Sequence, residues 1–177
     1  MNQLPTDEEL MTRVSQGDLN QMSLLFERYH LRLFNFLVQM TRDRAVAEDL
    51  TQTVFYKAIR YRSSYKGGQF VSWIFRIARN LFSDYYQKSK RSWKTVGIET
   101  VVEEQDESLY ERTEEIAHLY NTMQKLTMEE REFLVLNRFQ GLKYSQIAEI
   151  TGSSEGAVKV RMHRVIKKLK TLYFETI

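Results

Sequence analysis

The sequence predicts an all-α protein of two small helical domains joined by a flexible acidic linker, and three observations carry that expectation. The chain has 177 residues with a single proline, Pro5, and only seven glycines. Its apolar residues recur at helical spacing over most of its length. One stretch near the middle loses that spacing and turns acidic.

The elements follow in order. Thr6 with Glu9 forms a capping-box signature, opening a short helix that ends near Gly17. Asp18 is placed to cap a longer helix whose broad apolar face is Met22, Leu25, Phe26, Tyr29, Leu33, Phe36, Leu37 and Met40. A third helix is expected from about Arg44 to Arg60, with Ala47, Leu50, Val54 and Ala58 toward the core. Its other side carries Asp49, Gln52, Thr53 and Tyr56, a polar stripe of the kind that is usually only a solvated face, and periodicity gives no reason to prefer a docking surface. The segment RSSYKGGQ, with Gly67 and Gly68 paired, reads as a loop. A fourth helix runs from about Phe70 to Lys90, with Phe70, Ile74, Ile77 and Leu81 on one side. Residues 93–112 break the pattern, and of the nine charged side chains from Glu99 to Glu115 eight are negative. Such a segment buries little and reads as an interdomain linker. The domains are therefore expected at 6–92 and 113–177. In the second, Thr127 with Glu130 makes another capping box, and the stretch from Tyr144 to Tyr173 divides into a short helix, a turn and a long basic helix.

Charge narrows the function. The net charge is +2 over residues 1–86, −3 over 87–120 and +4 over 121–177. Two basic ends about an acidic tether suit two contacts with a polyanion. There is no cysteine, so no disulfide, thiolate metal site or thiol nucleophile is available. No apolar run reaches the about 18 residues of a membrane span, and the acidic N-terminus is no secretory signal, so a soluble cytoplasmic protein without membrane insertion is expected. His30, His118 and His163 lie far apart and form no metal motif, and no phosphate-binding loop or nucleophile elbow occurs. No catalysis, metal or cofactor is expected.

The sharpest local signal is YSQIAEITGSSEGAVKVRMHRVIKKLK. Ala148 lies four residues before Gly152 and Val158 six after it. A small residue lets a second helix cross closely, the glycine takes the positive φ of a tight turn, and Val158 with Ile147 and Ile150 fills the wedge. Ser154 can cap the second helix, a helix-turn-helix arrangement whose second helix reads a major groove. Lys159 and His163, with Glu155 and Arg164, occupy the face opposite Val158, Met162 and Val165. Lys167, Lys168 and Lys170 suit phosphates. On the fourth helix, Arg76, Arg79, Asn80, Tyr86, Lys88 and Lys90 lie close to Trp73, Phe75, Tyr65 and Lys66. Aromatics among cations suit a single-stranded nucleic acid, although Trp73 and Phe75 could as well belong to the core.

AEDLTQTVF, YKGGQFVSWIFRIARN and LTMEEREFLVLNRFQGLKYSQIAEITGSSEGAVKVRMHR together resemble the extracytoplasmic-function sigma factors of bacteria, over nearly the whole chain except the linker. The resemblance implies a transcription initiation factor that binds core RNA polymerase and directs it to promoter DNA. Its N-terminal domain would read and help melt the minus-ten element, and its C-terminal domain would bind the minus-thirty-five element as duplex. Asp49, Gln52, Thr53 and Tyr56 would dock on the polymerase clamp helices, with Thr53 where the family usually has glutamate. Tyr65, Lys66, Gly67, Gly68 and Gln69 match the loop that captures a flipped base, with Gln69 in place of a more typical serine. Trp73, Arg76, Arg79 and Asn80 line the same strand. Ser154, Glu155, Ala157, Lys159, His163 and Arg164 match the positions reading the minus-thirty-five element, with Arg161 nearer the phosphates. The linker would follow the RNA exit path. With no long tail after Ile177 and no regulatory domain before Thr6, the resemblance implies control by a separate anti-sigma factor, which in this family often sits in the membrane, and the free protein is expected to be a monomer. A stand-alone helix-turn-helix regulator, dimeric on palindromic sites, explains the C-terminal half equally well and leaves residues 65–86 without a role.

Overall fold

In the computed structural model of the protein, residues 4–96 and 114–175 are described, with side chains omitted at 93–96. All regular structure among the described residues is helical. Contacts divide the chain into two compact units, Met1–Glu103 and Glu104–Ile177. The expected linker lies mostly outside the described residues.

The first unit is built of four helices, α1 (Asp7–Ser15), α2 (Met22–Thr41), α3 (Arg44–Arg60) and α4 (Phe70–Val96). Thr6 and Glu9 close the capping box expected of them, each side chain bonding the other's backbone N–H. Asp18 departs from expectation. It precedes a 3-10 turn at Leu19–Gln21 and makes no cap bond; its carboxylate instead accepts from the Gln21 side chain at 2.9 Å. The joint between α2 and α3 is two residues long. Arg42 takes the left-handed conformation at φ 60°, and Asp43 caps α3 by accepting from the Val46 N–H at 3.0 Å. That cap offsets part of the roughly 1–2 kcal/mol a non-glycine residue loses in the left-handed region.

Leu10 and Val14 of α1, Leu25, Leu33, Phe36 and Leu37 of α2, Ala47, Val54 and Ala58 of α3, and Phe70, Ile74, Phe75 and Ala78 of α4 are all fully buried. Phe36 and Phe75 meet edge-on at 5.7 Å between ring centres. Three expectations change at this core. Phe26 stays 43% exposed, stacked on His30. Leu50 and Ile77 are half-buried, and Thr51 with Phe55 on α3 and Ala78 on α4 are buried instead. The fourth helix also continues past Lys90 to Val96.

The second unit holds α5 (Glu114–Met123), α6 (Met128–Leu134), α7 (Tyr144–Thr151) and α8 (Glu155–Glu175). The capping box of Thr127 and Glu130 is formed. After Leu134 the chain widens into a π turn at Val135–Phe139, with the Gln140 N–H bonded to the Val135 carbonyl at 3.0 Å. Asn137 donates its side-chain N–H to the Leu142 carbonyl at 2.9 Å, which closes the turn into α7. Gly152 adopts φ 67°, Ala148 is 8% exposed, and Val158 is fully buried with Ile147, as the spacing requires. Met162 and Val165 continue the buried side of α8.

Candidate nucleic-acid interface

The loop between α3 and α4 is shaped by what lies beneath it. A 3-10 turn at Arg62–Ser64 leads into Tyr65, whose ring is only 5% exposed and packs edge-on against Phe70 and Trp73. The Tyr65 hydroxyl donates to the Gly68 carbonyl at 2.7 Å. Burial, and after it the carboxylates of Glu8 and Asp7, pushes this phenol above its ordinary pKa. Lys66, Gly67, Gly68 and Gln69 are exposed, and the two glycines sit at φ 91° and 81°. A methyl group at either glycine would meet open space, so the backbone conformation alone calls for glycine there. Tyr65 therefore shapes the loop from below and does not offer a ring for stacking.

On α4 the expected aromatic platform divides. Phe75 is fully buried and belongs to the core, Trp73 is half-buried, and Arg76 and Asn80 are exposed with Arg79 half-exposed between them. Arg76, Arg79 and Asn80 share one side of the helix at i, i+3 and i+4, so they form a polar strip continuing from the loop.

Asp49, Gln52 and Tyr56 on α3 are exposed, Tyr56 by 59%. Thr53 is half-buried, and its hydroxyl turns back to the Asp49 carbonyl at 2.8 Å. Arg60 donates to the Tyr56 hydroxyl at 3.1 Å, which fixes that ring along the helix. Next to this stripe lies a feature that sequence reasoning missed. Phe26 packs on Phe55 of α3 at 4.8 Å and carries the stacked His30, and both Phe26 and His30 are exposed. The signal was weak because Phe26 fits the apolar spacing of α2 as well as any core residue.

On α8, Ser154 accepts from the Ala157 N–H at 3.1 Å, so the cap is made through the side chain. Glu155, Lys159, His163 and Arg164 are exposed, Ala157 is half-buried, and the hydrophobic residues Val158, Met162 and Val165 point the other way. Two cations behave otherwise. Arg161 pairs with Glu129 and lies over the Phe133 ring at 5.3 Å, and Lys168 pairs with Glu130 at 2.8 Å. Both bind α8 to α6. Arg161 and Lys168, expected near phosphates, each have an acidic partner within the unit in the free protein. The Glu130 carboxyl shows the same balance, since burial raises its pKa but the Lys168 and Thr127 hydrogen bonds win and hold it below the ordinary value. At the far end of α8, His118 donates to the Tyr173 carbonyl at 3.0 Å. No cluster of three or more metal-ligating side chains occurs among the described residues, and no described helix is long and apolar enough to cross a membrane.

The first unit thus carries a glycine loop followed by a polar strip, and the second a helix-turn-helix whose long second helix exposes Lys159, His163 and Arg164. Residues 25–92 match the family model of Sigma-70 region 2, and residues 116–169 that of Sigma-70, region 4. The chain is 31% identical to the RNA polymerase sigma factor CarQ of Myxococcus xanthus, over 93% of this chain and 96% of that protein. It is also 31% identical to the ECF RNA polymerase sigma factor SigM of Bacillus subtilis, over 84% of this chain and 93% of that one. Among solved structures, that of the sigma factor RpoE with the anti-sigma factor NepR from Bartonella quintana is similar, with a TM-score of 0.69 and 26% identity, over 88% of this chain and 96% of that chain. The chain belongs to the extracytoplasmic-function family of RNA polymerase sigma factors. Its role is that of a transcription initiation factor, and the family is one of transcription factors, not enzymes. The stand-alone regulator is not favoured, because the region-2 match accounts for residues 65–86, which that reading left without a role.

Proposed function

We propose that the first unit, expected at residues 6–92, captures the minus-ten element as melted strand. The second, expected at 113–177, reads the minus-thirty-five element as duplex. The observation that carries this division is the contrast between two exposed surfaces. One is a glycine loop at Lys66–Gln69 followed by Arg76, Arg79 and Asn80, which suits a single strand with an unstacked base. The other is the exposed face of Glu155, Lys159, His163 and Arg164 on a capped helix, which suits a major groove. Asp49, Gln52 and Tyr56 dock on core polymerase, with the Phe26 and His30 patch beside them as added contact area. The protein acts in the cytoplasm as a monomer when free. An anti-sigma factor restrains it, a reading supported by the similar Bartonella quintana structure, in which RpoE is in complex with the anti-sigma factor NepR.

The test is run-off transcription with core polymerase on paired promoters and on templates already unpaired across the minus-ten region. Asn80→Ala and Arg76→Ala should lose activity on paired templates and regain most of it on pre-melted ones, because pre-melting removes an unstacking cost of a few kcal/mol. Equal losses on both templates would remove the melting role.

A further inference from the structure

The exposed loop Lys66–Gln69 stands between two fixed points, and the second of them comes from far away in the chain. At one end Tyr65 is buried and its hydroxyl ties back to the Gly68 carbonyl at 2.7 Å. At the other end the Phe70 N–H, the first amide of α4, has no acceptor inside its own helix. It donates to Oε1 of Glu8 at 3.0 Å, a residue of α1 that lies 62 positions earlier. The Glu8 carboxylate also acts through space on the Tyr65 hydroxyl, which is itself held at the Gly68 carbonyl.

Anchoring α1 to the bundle does not require this bond. Leu10, Met11 and Val14 are fully buried, and Asp7 pairs with Arg28 at 2.6 Å and accepts from the Tyr29 hydroxyl. What the Glu8 carboxylate does that those contacts do not is hold the Phe70 amide, one residue beyond the loop. The loop needs such a stop. Gly67 and Gly68 both have positive φ and no side chain to hold them, so without fixed ends the backbone between them could take several shapes. A reading loop gains selectivity when its shape is set before the ligand arrives.

We propose that Glu8 is a positioning residue of the minus-ten site, capping α4 from α1 so that the loop Lys66–Gln69 is presented in one base-accepting shape. The inference rests on the reading of that loop as the minus-ten reader. Tyr65 is its counterpart at the other end, acting through its hydroxyl on the Gly68 carbonyl. The short N-terminal helix is thereby part of the promoter-reading machinery and not only a cover for the bundle.

The experiment uses the full chain with core polymerase on a promoter library randomised across the minus-ten element, read by sequencing transcripts. Glu8→Ala should flatten the base preference there by about threefold, the loss of one helix cap made by an exposed carboxylate. Glu8→Gln keeps an acceptor oxygen and should restore most of the preference. Preference at the minus-thirty-five element should stay unchanged in both. If Glu8→Gln behaves like Glu8→Ala, or if Glu8→Ala keeps the wild-type preference, the inference is overturned. Lys66→Ala and Gln69→Ala separate the two layers. Should these also leave the minus-ten preference untouched, the reading of the loop itself fails; should they change it while Glu8→Ala does not, only the role of Glu8 fails. If Glu8→Ala does not fold, Glu8→Gln and Tyr65→Phe decide. Tyr65→Phe keeps the buried ring and must flatten the same preference, with Glu8→Gln near wild type, or the proposal is wrong.

Discussion

In the N-terminal unit the aromatic side chains that the sequence places near a nucleic-acid strand are largely drawn inward, Tyr65 to 5% exposure and Phe75 to none, and they support an exposed glycine loop. In the C-terminal unit the division falls among cations instead. Arg161 and Lys168 are engaged by Glu129 and Glu130, while Lys159, His163 and Arg164 face solvent. Each unit thus uses some of its chemically apt residues as framework and leaves the others exposed. The difference suits what the two proposed ligands would ask for. A flipped base needs a shaped cavity, which rings can brace from behind. A duplex groove needs a straight helix held at a set angle, which ion pairs to a neighbouring helix can fix.

The largest effect should come from cutting the frame of the first unit. Phe75→Ala removes a fully buried ring that meets Phe36, and should cost about 3–5 kcal/mol of stability in chemical denaturation. A loss below about 1 kcal/mol would mean that the ring is less embedded than its burial indicates. In the second unit the corresponding cut is backbone strain. Gly152→Val forces a β-branched residue into φ 67° and should destabilise that unit by about 1–2 kcal/mol or more.

The next contrast lies within α8. Lys159→Ala and Arg164→Ala should each weaken binding to a minus-thirty-five duplex by about 1–3 kcal/mol with little change in stability. Arg161→Ala should do the reverse, lowering stability by at most about 1 kcal/mol, because the pair with Glu129 is solvent-exposed, while leaving sequence preference intact. Fluorescence anisotropy beside thermal melts separates the two. If Arg161→Ala proves to be the DNA-binding mutant, the assignment of framework and reading cations must be exchanged.

A smaller effect is expected on α3. Gln52→Ala and Asp49→Ala should reduce co-purification with core polymerase without changing the circular dichroism spectrum, since both side chains are exposed. Retention equal to wild type would move docking to the Phe26 and His30 patch.

The smallest effect concerns pH. The Glu130 carboxyl is held below its ordinary value of 4.5 by Lys168 and Thr127, so its contribution to stability is full above that value. It is lost as pH falls through the lower folded-state value, where the carboxylate takes up a proton and releases Lys168. Exposure of Lys168 and partial exposure of Glu130 keep the effect near or under about 1 kcal/mol. Lys168→Met should make acid unfolding of this unit less steep; an unchanged acid limb would assign the steepness to other carboxylates.

Periodicity, caps and turn residues were enough to place most of the helices, because each depends on neighbours within a few positions, though not the turn at Asp18 or the end of α4. The capping boxes at Thr6 and Thr127, the turn at Gly152 and the wedge of Ala148 and Val158 are all of this local kind. The family's motifs likewise carried the initiation function, since their order and spacing are written in the chain. Tertiary structure alone decided which residues of a suitable type are framework. Nothing near Tyr65 in sequence says that its ring turns under the loop, nor does the composition of α8 say that Arg161 meets Glu129, which lies 32 residues earlier. The same holds for Glu8 and Phe70, which meet across 62 residues. A helix specifies the direction of its own side chains, but whether a side chain finds a partner or solvent there depends on elements folded from distant sequence.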